Sequence, residues 1–220
     1  MKYLWKLILS LKEIFIMMLI QYMFLILSLI ILGVNKSIIW GSILLMIVQF
    51  TYILFKTKKI KFNFKRKKYL PYVLLGVGVA TVCNMIIFIV TPTKEINTNF
   101  PIILNILCSG IIGPIFEELL FRYDLIRRLS KFNSNKFVII ILSSIIFGLC
   151  HTGITTIIYA MIMGLINCYI YMKDKDIIKP IIVHMSSNIF VNLLCGYNIN
   201  ILFLGIILIV ISYFIIRCDN

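Results

Sequence analysis

Residues 101–123 read PIILNILCSGIIGPIFEELLFRY. The run is long enough to cross a bilayer at about 1.5 Å per residue, yet it carries two adjacent carboxylates and an arginine. A charge at membrane depth costs about 2.5–3.5 kcal/mol even on mild insertion scales, so Glu117, Glu118 and Arg122 each need a partner or a purpose.

The surrounding sequence is of the same apolar kind. Of 220 residues, 61% are hydrophobic and the mean hydropathy is +1.05. A soluble globule is excluded, because there is too little polar surface to cover one. The spacing of the apolar runs predicts an all-α, polytopic transmembrane bundle of about eight helices, near 14–33, 38–55, 69–91, 101–123, 137–153, 154–172, 180–196 and 200–216. The fifth and seventh are short. Three helices fill residues 1–100, a core of four fills 101–200, and one closes the chain over 201–220. The first segment is too long for a signal-peptide core and no small-x-small site follows it, so it is expected to stay as an anchor.

The formal net charge of +14 would suit nucleic acid if it lay on one amphipathic surface. It lies instead in clusters between apolar runs, which points to the anionic face of a membrane and to no nucleic-acid partner. With the N-terminus in the cytoplasm, Lys2, Lys6, Lys12, the basic run 56–68, Arg127, Arg128, Lys131, Lys136, Lys173, Lys175, Lys179 and Arg217 fall on one side, and only Lys36 and Lys94 on the other. Both termini are therefore expected inside. The run 56–68 is expected against anionic headgroups, with Phe62 and Phe64 dipping into the interface. Six cysteines are scattered without a C-x-x-C pair and read as small core residues.

Three clusters of polar residues remain within apolar helices. Glu118 and Arg122 stand at i and i+4 and can pair, which leaves Glu117, rotated by about 100°, over. Two adjacent carboxylates at low dielectric repel, an arrangement that suits one of them to general-base work. His151 shares a helix face with Phe147, whose ring can orient the imidazole. Cys150, one residue away, points about 100° elsewhere, which argues against a thiol nucleophile. His184 and Asn188 offer two hydrogen-bond donors from one face, as a developing oxyanion needs. Asn192 continues that stripe and suits an interhelical hydrogen bond. Each cluster alone also fits plain helix packing.

In order and in helical setting, E-E-L-L-F-R, F-G-L-C-H and H-M-S-S-N resemble the E-E-x-x-x-R, F-x-x-x-H and H-x-x-x-N/B motifs of the CPBP family. That family comprises the type II CAAX prenyl endopeptidases and the bacterial bacteriocin-processing and self-immunity (abortive-infection) proteins. The resemblance covers residues 101 to about 196. It implies an intramembrane endopeptidase in which Glu117 and His151 activate water, Glu118 supports them with Arg122, Phe147 orients the site, and His184 and Asn188 stabilise the oxyanion. The family is usually labelled metallopeptidase. H-E-x-x-H is absent, and Glu117, His151 and His184 are the ligand set if zinc is bound, with metal-independent glutamate chemistry preferred.

The implied substrate is a peptide or membrane protein met at the membrane, in bacterial peptide maturation or bacteriocin self-immunity, with water entering from the cytoplasm. The alternative is a non-catalytic immunity or scaffold protein of the same family. A proton-coupled transporter would need matching halves, and the polar residues fall only in the second. One geometric problem stands. With helices starting at 137 and ending at 123, His151 would lie about 21 Å from the basic side, and Glu117 and His184 only about 6–9 Å. An interfacial or strongly tilted start to the fifth helix is the expected remedy.

Overall fold

A computed structural model of the protein describes residues 2–58, 60, 68–91, 100–132, 134–194 and 198–218, with the side chains of 2–4, 6, 7, 34 and 35 left aside. Most of the basic run after Lys58, with Phe62 and Phe64, lies outside them, as do Lys94 and Cys195.

The described residues form eight helices and no strand. The chain opens with one helical run, Lys2–Thr57, broken at Gly33, whose φ of 71° and ψ of 171° suit a residue without Cβ. The break separates α1 (Ile8–Gly33) from α2 (Lys36–Thr57). There follow α3 (Leu70–Val90), α4 (Ile102–Leu129), α5 (Lys136–Leu149), α6 (Ile154–Asp174), α7 (Ile178–Leu193) and α8 (Ile199–Cys218). Six are long and apolar enough to cross a membrane. Helices α5 and α7, at about 21 and 24 Å, fall short of the ~30 Å hydrocarbon layer, so the eight expected spans are six full ones and two short ones. The protein is a multi-pass membrane bundle.

Its burial pattern suits lipid. Large apolar residues such as Leu19, Ile30 and Val90 face outward, while Glu118, Arg122, Asp124, Asn167, His184 and Ser187 are buried. Helix α4 is central. Phe116, Leu119, Leu120, Phe121, Leu125, Ile126 and Leu129 pack on side chains from α1, α2, α5, α6 and the start of α7. Two stretches of α4, Ile106–Ile112 and Leu119–Leu125, wind wider than an α-helix with i→i+5 hydrogen bonds; the Gly113 N–H, for example, donates to the Cys108 carbonyl.

Helix α7 runs antiparallel to α4. Asn105 Nδ2 donates to Asn192 Oδ1 at 2.6 Å, Asn188 Nδ2 to the Ser109 carbonyl at 2.8 Å, and Asn192 Nδ2 to Ser109 Oγ at 3.1 Å. Asn192 thus makes the interhelical bonds expected of it. On its other side α7 meets α3 at Gly76, where a Cβ would stand 2.2 Å from the Val183 carbonyl oxygen and 2.1 Å from Ser186 Oγ.

Lys56 departs from expectation. It is buried, pairs with Glu13 and Asp124, and tops the Tyr52 ring at 5.1 Å, while Arg128 also pairs with Glu13. A charge this deep is stabilised by opposite charges and is withheld from lipid headgroups.

Candidate active site

The expected mismatch in depth between Glu117 and His151 narrows because α4 does not stop at residue 123. It runs to Leu129, turns, and returns as α5. Glu117 stands twelve residues before Leu129 and His151 fifteen after Lys136, about 18 and 22 Å along the two arms. The arms meet where Phe121 and Phe147 stack edge to face with centroids 5.0 Å apart. Arms of similar length thus bring these two residues level, while His184 stands six residues after Ile178, the first of α7.

Glu118 is wholly buried, and three groups engage it. Oε2 lies 3.0 Å from Arg122 Nε, while Oε1 accepts from Asn167 Nδ2 at 3.0 Å and from His184 Nδ1 at 2.9 Å. The Arg122 contact is an ion pair off-line for a hydrogen bond, and both terminal nitrogens of that buried guanidinium find no hydrogen-bond partner among the described residues. Its flat face instead covers the Phe147 ring, with Cζ 4.3 Å from the centroid.

Phe147 joins the clusters. Its ring stands edge to face with His151 at 4.9 Å and His184 at 5.9 Å. Helix α5 ends at Leu149, so His151 lies just past it and not within a helix. The Phe147 carbonyl, 2.9 Å away, accepts from Nδ1 of that ring, and Glu118 accepts from Nδ1 of His184. Both histidines are therefore held by Nδ1 and keep Nε2 for other work. His184 Nε2 lies 3.8 Å from Glu117 Oε2.

Glu117 differs from its neighbour. Its side chain keeps 28% of its exposure and faces a cavity of about 390 Å³ that Phe147, His151, His184 and Asn188 also line. The side chains singled out in sequence thus converge, and Glu118 and Arg122 back the wall. One N–H of Asn188 is already used on the Ser109 carbonyl, which leaves one for a ligand. Among the described residues no three His, Cys, Asp or Glu side chains stand together as a metal-binding group.

Asn167 was not anticipated. An inventory of ionisable groups passes over an amide, and the only sequence signal was its polarity inside the apolar run 154–172. Asp124 was missed because a fourth helix ending at residue 123 stops one residue short of it, whereas α4 runs to Leu129. It accepts from Tyr52 Oη at 2.7 Å and pairs with Lys56 and Arg127.

Residues 99–190 match the family model described as type II CAAX prenyl endopeptidase Rce1-like. The membrane-embedded CAAX protease MroQ of Staphylococcus aureus is 31% identical over a 184-position alignment that covers 71% of this chain and 74% of that protein. The chain belongs to the Rce1-like CAAX protease family. Two other bacterial relatives are 35% identical: YdiL of Bacillus subtilis, provisionally named a membrane peptidase, over 40% of this chain, and the UPF0177 protein YxdF of Lactococcus lactis over 46%. The chain spans 36% and 55% of their respective lengths. No solved structure matches significantly. In this Rce1-like chain the family match contains every cavity residue from Ser109 to Asn188 and ends just short of Asn192.

Proposed function

We propose that the protein is an intramembrane endopeptidase in which Glu117 is the general base. The observation that carries this reading is the unequal use of two adjacent carboxylates. Glu118 is buried and held by Arg122, Asn167 and His184, whereas Glu117 faces the cavity and meets His184 Nε2 only at 3.8 Å, beyond hydrogen-bond range.

Glu117, with His151 lining the same cavity, orients a water and takes its proton as the oxygen attacks the scissile carbonyl. The negative charge that forms on that carbonyl oxygen meets N–H donors from Asn188 and, when Nε2 is protonated, from His184. Glu118 fixes the His184 ring, and Arg122 balances the Glu118 charge. Glu117 then hands its proton to the amide nitrogen as the C–N bond breaks, which yields a carboxylate and an amine. No step passes through a metal.

The relatives named as membrane peptidase and CAAX protease support a peptide or membrane protein as substrate; a part in bacterial peptide maturation or bacteriocin self-immunity is what the CPBP resemblance implies, and the charge clusters support cytoplasmic termini. The test uses reconstituted protein and a membrane-anchored peptide. Glu117→Gln and His151→Ala should abolish cleavage while thermal unfolding stays near that of the parent, and a strong chelator should leave the parent active. Full cleavage by Glu117→Gln would reject Glu117 as the base; no cleavage by the parent, with a cellular phenotype that survives Glu117→Gln, would favour a non-catalytic immunity or scaffold role; loss of activity with chelator, restored by zinc, would reject the metal-free route.

A further inference from the structure

Glu117 and His151 face a second cavity as well as the first. It holds about 240 Å³ and shares Leu45, Gln49, Glu117 and His151 with the catalytic cavity, so the two join beside the proposed base. One wall is α4, where Phe116, Leu120 and Phe121 are each at most 4% exposed and belong to the bundle core. The facing wall is α1. Met17, Met18, Gln21, Tyr22 and Leu25 stand at i, i+1, i+4, i+5 and i+8 and so share one side of that helix. Cys150, just past α5, also lines the cavity, and its Sγ lies 3.7 Å from Met18 Sδ.

The size and chemistry of this cavity suit one side chain of a bound peptide. Its volume falls below the roughly 300–1,000 Å³ of small-molecule pockets. Thioethers and phenyl rings make up much of its wall, and unbranched thioethers adapt to irregular apolar shapes. Glu117 is its one carboxylate and no lysine or arginine lines it, so a charge carried past that mouth would be desolvated without a partner. One polar group is out of keeping with the rest. Gln21 Nε2 is buried and finds no hydrogen-bond acceptor among the described residues. A buried donor left unpaired costs about 1–3 kcal/mol, and the main-chain carbonyl of a peptide laid past Glu117 would satisfy it.

We infer that this cavity is a specificity pocket, which takes a large uncharged side chain such as leucine, methionine or phenylalanine from a residue flanking the scissile bond, while Gln21 holds a main-chain carbonyl of the same segment. This rests on the peptidase reading of Glu117 and adds what that site selects. The shared mouth sets the position. His184 and Asn188 line only the first cavity, so a scissile carbonyl turned toward them leaves a neighbouring side chain on the side of Leu45 and Gln49, where the second cavity opens. Helix α1 lies outside residues 99–190, which match the family model. The shared motifs thus supply the chemistry, and Met17, Met18 and Gln21 supply a selectivity particular to this chain.

The test presents the full chain, reconstituted in vesicles, with a pool of membrane-anchored peptides whose juxtamembrane positions are varied among Ala, Leu, Phe and Lys. Products are sequenced by mass spectrometry. At one position flanking the cut, Leu or Phe should be favoured over Ala and Lys by about 10–100-fold. Met18→Phe, which fills the cavity, should move that preference toward Ala, and Met18→Ala, which enlarges it, toward Phe; opposite shifts at one position are not what a general packing defect produces. Gln21→Leu should lower kcat/KM about 10-fold for every peptide without moving the preference, and should melt no lower than the parent. A cut with no preference at its flanking positions, or Met18 variants that slow every peptide alike, overturns the inference. A second measurement does not need cleavage. In Glu117→Gln, peptides carrying a photoreactive leucine should crosslink to α1 within residues 17–25. Those crosslinks with no cleavage by the parent keep the pocket and remove the peptidase assignment; cleavage by the parent without them removes the pocket alone; absence of both removes both.

Discussion

Arg122 lays its guanidinium over the Phe147 ring, Cζ to centroid 4.3 Å, with neither group reaching the surface. The stack lets a buried cation with few hydrogen bonds persist beside Glu118. A lysine ammonium has neither the planar face nor the Nε position. Arg122→Lys should therefore lower stability by about 2 kcal/mol, and Arg122→Ala, which strands Glu118, by about 3–5 kcal/mol. Thermal unfolding in detergent measures both; parent-like melting of Arg122→Lys would show that the stack contributes nothing.

Asn167 donates to the same carboxylate oxygen as His184. Asn167→Ala removes one charge-assisted bond, about 1.5–3 kcal/mol, and loosens the ring that Glu118 holds. Turnover should fall about 10–100-fold with KM little changed. A change confined to KM would place Asn167 in substrate binding instead.

Asn192 and Asn105 join α7 to α4 beyond the reacting groups. Asn192→Ala should cost about 1 kcal/mol and leave cleavage within a few-fold of the parent. Abolished cleavage with an intact melting curve would mean that Asn192 touches substrate.

At Gly76 a methyl group would collide with α7 backbone only one residue from His184. Gly76→Ala should push α3 and α7 apart, with a loss of several kcal/mol in stability of the overpacking kind and of cleavage with it. Gly41→Ala, whose Cβ would meet only side-chain atoms, at 3.0 Å and beyond, is the milder control.

Much of the site could be read from residue spacing, because a helix places i and i+4 on one face whatever surrounds it. That rule alone selected Glu118 over Glu117 as the partner of Arg122, set the Phe147 ring against His151, and put His184 in line with Asn188. It could not locate Asn167, since which helix faces a carboxylate is decided by packing between helices. Nor could hydropathy place the end of α4. Asp124, Arg127 and Arg128 look like loop residues, and only the neutralising partners Lys56, Tyr52 and Glu13, 68 or more residues earlier, allow the helix to continue through them. The same distant pairing explains why Lys56, the first cation of an apparent surface run, lies inside.

The wide turns of α4 carry one more implication. An i→i+5 winding is an α-helix holding a surplus residue, and Ile106–Ile112 holds its surplus just upstream of Glu117. Excising one residue there would let the backbone relax to ordinary pitch, and because the wide turn already absorbs that residue, the flanking turns would keep nearly the same faces. The same excision in the regular turns Gly113–Glu118 would swing everything before it by about 100°, so that Ser109 would leave Asn188 and the Asn105–Asn192 bond would break. For this chain, a single-codon deletion within Ile106–Ile112 is expected to be better tolerated than one a few residues later.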